Sequence, residues 1–284
     1  MIWLDRLQTL RLDRAALQRS RPGIRIVPTS GGLVRIRHQP STSGPQILLG
    51  TDGPNVIEHY DTLLGHLAGK ADVVIFEPPG TGGSASASGF DFRLGSFATV
   101  AEELLQTCGP RTLVFPCYLG LVGRVVARRS PHLAPRLVLP QTVSWDDFER
   151  WANKVDPKRW LRTCGVGQLL VAVRRRQIAR AWYRASVGHK DARAALIATS
   201  GRNFDDGGCF CLASLMQGLT PELDDSPTPV PTAVVWGAKD RTHAKSDPSR
   251  SVLGAEVVRF DDSGHSPDLE EPARFASWLV GWHR

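Results

Sequence analysis

The chain has 284 residues, of which 42% are hydrophobic and 22% charged, and it carries a net charge of +7. That balance excludes a disordered, collagen-like or coiled-coil chain and suits one large domain, or one domain carrying an insertion. The surplus is uneven, at +6 over residues 1–37, −4 over 38–149, +10 over 150–193 and −5 over 194–284, so two basic patches sit on an acidic body and no nucleic-acid footprint emerges.

Residues 2–19 place Ile2, Leu4, Leu7, Leu10, Leu12 and Leu17 among Arg and Asp, which predicts an amphipathic helix ended by Arg21, Pro22 and Gly23. Strand and helix then alternate. Strands are predicted over 32–37, 46–49, 72–76, 111–115 and 136–139, and helices over 56–68, 94–106 and 118–129. Such alternation implies a mostly parallel sheet with helices on both faces. From Trp145 to about Leu223 the pattern gives way to helix-like stretches with no convincing strand. It resumes with strands over 231–236 and 255–260 and a helix over 270–282. The predicted organisation is therefore α/β, with core over 1–144, a helical cap over 145–223, and core again over 224–284. The Pro-rich stretch from Asp224 to Pro231 serves as the linker. A cap inserted there covers the carboxyl ends of the strands, where open α/β sheets bind ligands.

The first residues hold no uninterrupted apolar segment followed by a small-residue cleavage site, and the longest apolar runs, such as Leu169 to Val173, are far too short to span a bilayer. Five cysteines with no CxxC pair argue against a disulfide framework, and no His pair joins them at zinc-like spacing. The expectation is a cytoplasmic protein with no membrane or nucleic-acid partner, no metal and no cofactor.

Three segments carry the chemistry. Leu113 to Gly120 runs a strand straight into a helix with Cys117 at the junction, Asp240 follows a late strand, and His265 sits in Asp262-Ser263-Gly264-His265 ahead of Glu271-Pro272. A nucleophile at a strand-to-helix turn projects over the sheet, and the helix N-terminus favours negative charge there. For Cys117 this predicts a depressed thiol pKa, with His265 handling the proton and Asp240 fixing the imidazole tautomer. Cys117 also has a bland reading as a small buried residue ending a core strand. Asp240 has competitors as the acid in Asp146 and Asp147. The glycines at 80, 82 and 83 lack the spacing of a phosphate loop and read as a structural turn.

On these residues the chain resembles the α/β-hydrolase superfamily over roughly 32–284. Glu77-Pro78-Pro79-Gly80-Thr81-Gly82-Gly83-Ser84 is similar to that family's Asp-x-x-Gly-x-Gly-x-Ser loop, and the order nucleophile, acid, histidine is the family's order. The resemblance implies an oxyanion hole built from the backbone N–H groups of Tyr118 and of the Gly50-Thr51 loop. Two departures stand out. Phe115 and Leu119 replace the small residues that flank a tight elbow, and Asp52 brings a carboxylate to the oxyanion loop.

A thioester is more receptive than an ester to amine and carbanion attack, so cysteine favours acyl transfer or cyclisation over plain hydrolysis. The resemblance extends to thiol-dependent thioesterases and Dieckmann cyclases, and it implies an acyl-Cys117 intermediate in specialised metabolism. The substrate is then a small molecule or an acyl chain. The basic cap, with Arg174, Arg175, Arg176, Arg180 and Arg184, would suit an acidic acyl-carrier protein. A hydrolase of small esters, lactones or thioesters with the same triad is the first alternative. A binding protein or isomerase using His265 and Asp52 is the second. Trp145, Trp151, Trp160 and Trp182 either line a large apolar pocket or bind the cap to the core.

Overall fold

The computed structural model describes residues 12–220 and 226–283, together with Asp5 and Gln8. Parts of the predicted 2–19 helix and of the 224–231 linker, and with them the 223/224 boundary, lie outside the described residues. Helices are α1 (Arg14–Arg19), α2 (Asp61–Leu67), α3 (Leu94–Cys108), α4 (Tyr118–Arg129), α5 (Trp145–Val155), α6 (Val166–Ser186), α7 (Lys190–Asp205), α8 (Leu212–Gly218), α9 (Pro267–Glu270) and α10 (Pro272–Trp282). Strands are β1 (Ile24–Thr29), β2 (Gly32–Gln39), β3 (Gln46–Gly50), β4 (Asp72–Phe76), β5 (Thr81–Gly82), β6 (Ala85–Ser86), β7 (Thr112–Val114), β8 (Leu137–Pro140), β9 (Cys209–Phe210), β10 (Thr232–Gly237) and β11 (Glu256–Phe260).

The main sheet runs β1-β2-β4-β3-β7-β8-β10-β11, with β6 added beside β2. From β4 through β11 every pairing is parallel, whereas β1, β2 and β4 pair antiparallel. The inner strands are apolar on both faces, as a sheet covered twice requires. Leu48, Val74, Leu113, Leu139 and Val234 pack with α3 and α4, while Ile47, Leu49, Ile75, Val114, Val138 and Val235 pack with α2 and α10. Each such buried aliphatic side chain contributes roughly 1.5–3 kcal/mol relative to exposure.

The predicted alternation holds, with physical corrections. β1 is an unpredicted strand that closes a hairpin onto β2. The helix predicted over 56–68 is a 3-10 turn, Ile57–Tyr60, followed by α2. The helix predicted over 270–282 is α10, which opens at Pro272 because that residue has no N–H to continue α9. In the cap, β9 pairs with β5, a short strand in a region predicted to have none.

The Glu77–Ser84 loop is a structural turn. Glu77 is fully buried, and its carboxylate accepts from the N–H groups of Gly83 (2.6 Å) and Ile57 (2.9 Å) and pairs with Arg35 at 2.8 Å. Arg35 in turn binds Glu58, Ser20 and the Leu17 carbonyl, tying the end of α1 to the core. Asp5 and Gln8 reach the cap instead. Gln8 accepts from the Phe210 N–H at 2.9 Å and Asp5 accepts from the Ser214 hydroxyl. Among the described residues no helix is long and apolar enough to cross a membrane.

Candidate active site

Cys117 stands between β7 and α4 with φ 53° and ψ −126°, a left-handed backbone that a non-glycine residue adopts only under constraint. Its N–H donates to Pro140 at 2.9 Å, and its carbonyl accepts from Gly120 at 3.0 Å. The crowding expected from Phe115 and Leu119 is relieved across the turn. A Cβ on Gly50 would stand 2.6 Å from Leu119 Cδ1, and one on Gly123 would stand 3.3 Å from Phe115. Large residues occupy the elbow because their facing positions are empty.

His265 and Asp240 come from the loops after β11 and β10. His265 Nδ1–H donates to Asp240 Oδ2 at 2.8 Å, and the other carboxylate oxygen accepts from the Thr242 N–H (2.7 Å) and hydroxyl (2.6 Å). The two Glu residues after His265 fix its loop. Glu271 accepts from Ser263, and Glu270 accepts from the N–H groups of Gly264, Gly188 and His189, which also joins the loop to the end of α6. Asp146 is exposed on α5, beside a separate polar cavity lined by Arg150, Lys245 and Arg250, while Asp147 pairs with Arg150. The carboxylate at His265 is Asp240.

One oxyanion donor is misplaced in the sequence reading. The Thr51 N–H donates to the Phe76 carbonyl at 3.0 Å, so it is spent in the sheet, and Thr51 does not line the cavity. The next amide, that of Asp52, faces the Tyr60 hydroxyl, and the Tyr118 N–H lies against the Cys117 sulfur. Asp52 is buried, with Oδ2 3.5 Å from His265 Nε2, and neither atom makes a hydrogen bond. Donor atoms of Asp52, Cys117 and His265 all lie within 4.8 Å of one another.

The electrostatics run against the depressed thiol pKa expected from the sequence. Burial, then the Asp52 carboxylate, pushes the Cys117 thiol up, outweighing His265 and the Tyr118 N–H. Burial also raises Asp52. Burial disfavours a charged His265, but Asp240, Cys117 and Asp52 together hold it well above its ordinary value. Asp240 goes the other way, because His265 outweighs the burial that would raise it.

A cavity of about 680 Å³ opens over Cys117, Asp52 and Tyr118. Its walls are apolar and come mainly from the cap, through Phe148, Trp151, Trp182, Leu215 and Met216. Of the four cap tryptophans, Trp151, Trp160 and Trp182 line it, whereas Trp145 packs against Phe148. Trp182, named from the sequence as a candidate pocket residue, also reaches His265, and His243 is a site residue that carried no sequence signal. Trp182 meets His265 edge-on at 4.9 Å and shields it, and His243 stacks on His265 at 5.6 Å, its pKa lowered to about 4 chiefly by burial. On the cap surface Arg174, Arg180 and Arg184 are exposed, but Arg175 bonds the Phe204 and Gly208 carbonyls and Arg176 pairs with Asp205. Of the five arginines, four are exposed and Arg175 is half-buried.

No family model matches the chain, and no curated protein matches its sequence. Solved structures do match in shape. Epoxide hydrolase A from Mycobacterium thermoresistibile superposes with a TM-score of 0.72 at 15% identity, covering 92% of this chain and 98% of that one. A haloalkane dehalogenase loop variant from Bradyrhizobium elkanii gives 0.68 at 15% identity, covering 91% and 95%. A thermophilic esterase from Thermogutta terrifontis gives 0.66 at 18% identity, covering 92% and 98%. The fold is the α/β-hydrolase fold, with a mostly parallel sheet and a helical cap.

Proposed function

We propose that the chain is an enzyme of acyl transfer that works through a thioester on Cys117. The observation that carries this reading is the Cys117 thiol held at a left-handed strand-to-helix turn beneath an apolar cavity, beside a His265 whose Nδ1–H is fixed by Asp240 at 2.8 Å. The structural neighbours act on epoxides, haloalkanes and esters by their descriptions. Only the last chemistry suits a thiol. Attack of sulfur on an epoxide or haloalkane forms a thioether, which water does not cleave, whereas attack on an acyl group forms a thioester that turns over.

In the forward half-reaction the Cys117 sulfur bonds the acyl carbon of an ester or thioester. Its proton passes into the Asp52–His265 pair, whose facing atoms are 3.5 Å apart, and returns to the leaving alcohol or thiol. The tetrahedral oxyanion lies against the Tyr118 N–H at the start of α4, a donor already oriented when charge develops. A second nucleophile then attacks the thioester and frees the sulfur. The apolar walls and the Trp182 cover over His265 favour an organic nucleophile, intermolecular or on the acyl chain itself, over water. Hydrolysis of small esters, lactones or thioesters uses the same first step and differs in product.

The close approach of Asp52 to His265 supports a second reading, in which these two groups move protons on a bound substrate without an acyl-enzyme. Turnover of a panel of acyl thioesters by the Cys117→Ala variant separates the readings. The acyl-transfer account expects turnover to fall by about 10³-fold or more; undiminished turnover eliminates it. An acidic acyl-carrier domain is the proposed partner, docked at the exposed Arg174, Arg180 and Arg184.

A further inference from the structure

We propose that Asp52, Cys117 and His265 also form a binding site for a thiophilic divalent cation of the zinc type, occupied reversibly and blocking the thiol while bound. The three side chains offer the sulfur, nitrogen and oxygen donors that zinc accepts, all within 4.8 Å of one another. Two of the donors face each other unused. Asp52 Oδ2 and His265 Nε2 are 3.5 Å apart on side chains 5% and 1% exposed, and neither makes a hydrogen bond. Tetrahedral bonds of about 2.0–2.3 Å place ligand atoms roughly 3.3–3.6 Å apart, so this pair already has the needed separation and the sulfur, within 4.8 Å of both, has at most about 1 Å to close.

The surroundings fit as well. His265 Nδ1–H is held by Asp240 at 2.8 Å, the carboxylate–imidazole arrangement that orients a metal-bound histidine. Asp240 acts on Asp52, and Asp52 in turn acts on Asp268, so the site lies among buried acids. The fourth corner opens into the cavity, which Asp52 and Cys117 line. On binding, the ion takes the thiolate sulfur, the Nε2 lone pair and one carboxylate oxygen, and both the thiol proton and the Nε2 proton of the charged imidazole leave to solvent. No electron is transferred. Asp240, His243 and His265 make a rival cluster, but the Asp240 oxygens are already bonded to His265 and Thr242, and neither Asp240 nor His243 lines the cavity.

The test is a titration of the full chain, stripped with a chelator, first with Co²⁺ and then with Zn²⁺. The expected result is one equivalent of cobalt with a thiolate-to-cobalt charge-transfer band in the near ultraviolet and the visible bands of a four-coordinate ion, displaced by zinc. Cys117→Ser erases the charge-transfer band, and Asp52→Asn weakens binding by at least ~10-fold, with circular dichroism confirming that both variants fold. A measurement on the wild type alone adds to this, because Zn²⁺ slows alkylation of Cys117 by iodoacetamide, read by peptide mapping. No binding, a spectrum without the charge-transfer band, or a spectrum indifferent to Cys117→Ser overturns the proposal. None of these outcomes touches the acyl-transfer reading, which stands or falls on Cys117 acylation.

Discussion

Phe115 and Leu119 flank Cys117 where a tight turn calls for small residues, and the chain accommodates them through glycines elsewhere. Gly50→Ala drives its new Cβ to 2.6 Å from Leu119 Cδ1. A loss of about 1–3 kcal/mol in urea unfolding is expected, and a smaller loss in a Leu119→Ala background. At the triad, Asp240→Asn leaves the fold in place but removes the partner that fixes the His265 Nδ1–H. It should lower kcat by about 10²–10⁴-fold with little change in KM; a KM effect alone would make Asp240 a substrate-binding residue. Cys117, Asp240 and His265 were legible because each lies just past a strand end, in an order that the sequence displays. Thr51 was misread because the sequence does not reveal which amide of a loop the sheet consumes. Trp182 was legible as a pocket candidate but not as a partner of His265, and His243 was invisible, since both contacts with His265 are made across sequence separations by the cap and a loop.

Among the elements, the parallel strands were legible from their apolar runs and the cap from the loss of alternation. β1, β5 and β9 were not. The last two are short pairings between distant loops, and β1 is a half-exposed edge strand with weak patterning. The cap supplies most of the cavity wall and the exposed arginines of α6. Changing Arg174, Arg180 and Arg184 together to Gln should weaken turnover of a carrier-bound thioester by roughly 10-fold at low salt, and less as salt rises. A small-molecule thioester should be processed unchanged, and an equal response of the two substrates removes the docking role.

The whole molecule is held partly by a buried ionic knot around Arg35, which draws α1, the 3-10 turn at Ile57–Tyr60 and the Glu77 loop together. Burial alone would raise the Glu58 pKa, but Arg35 outweighs it and holds Glu58 at about 2. Its folded value lies below its unfolded value, so the contribution is complete above about pH 4.5 and is lost as pH falls toward 2. Glu58→Gln should therefore cost about 1–3 kcal/mol near neutral pH and flatten the acid limb of the stability profile, measured by urea unfolding across pH. The charge pattern foretold two basic patches. It could not foretell that Arg35 of the first is buried as structure, or that Arg175 of the second bonds back onto cap carbonyls. Intact-protein mass spectrometry after exposure to an activated acyl thioester reads the acyl-enzyme itself. The prediction is a single acyl adduct that maps to Cys117, disappears in Cys117→Ala and decays faster when a nucleophilic amine is added. An unmodified wild-type protein that still converts the thioester would contradict it.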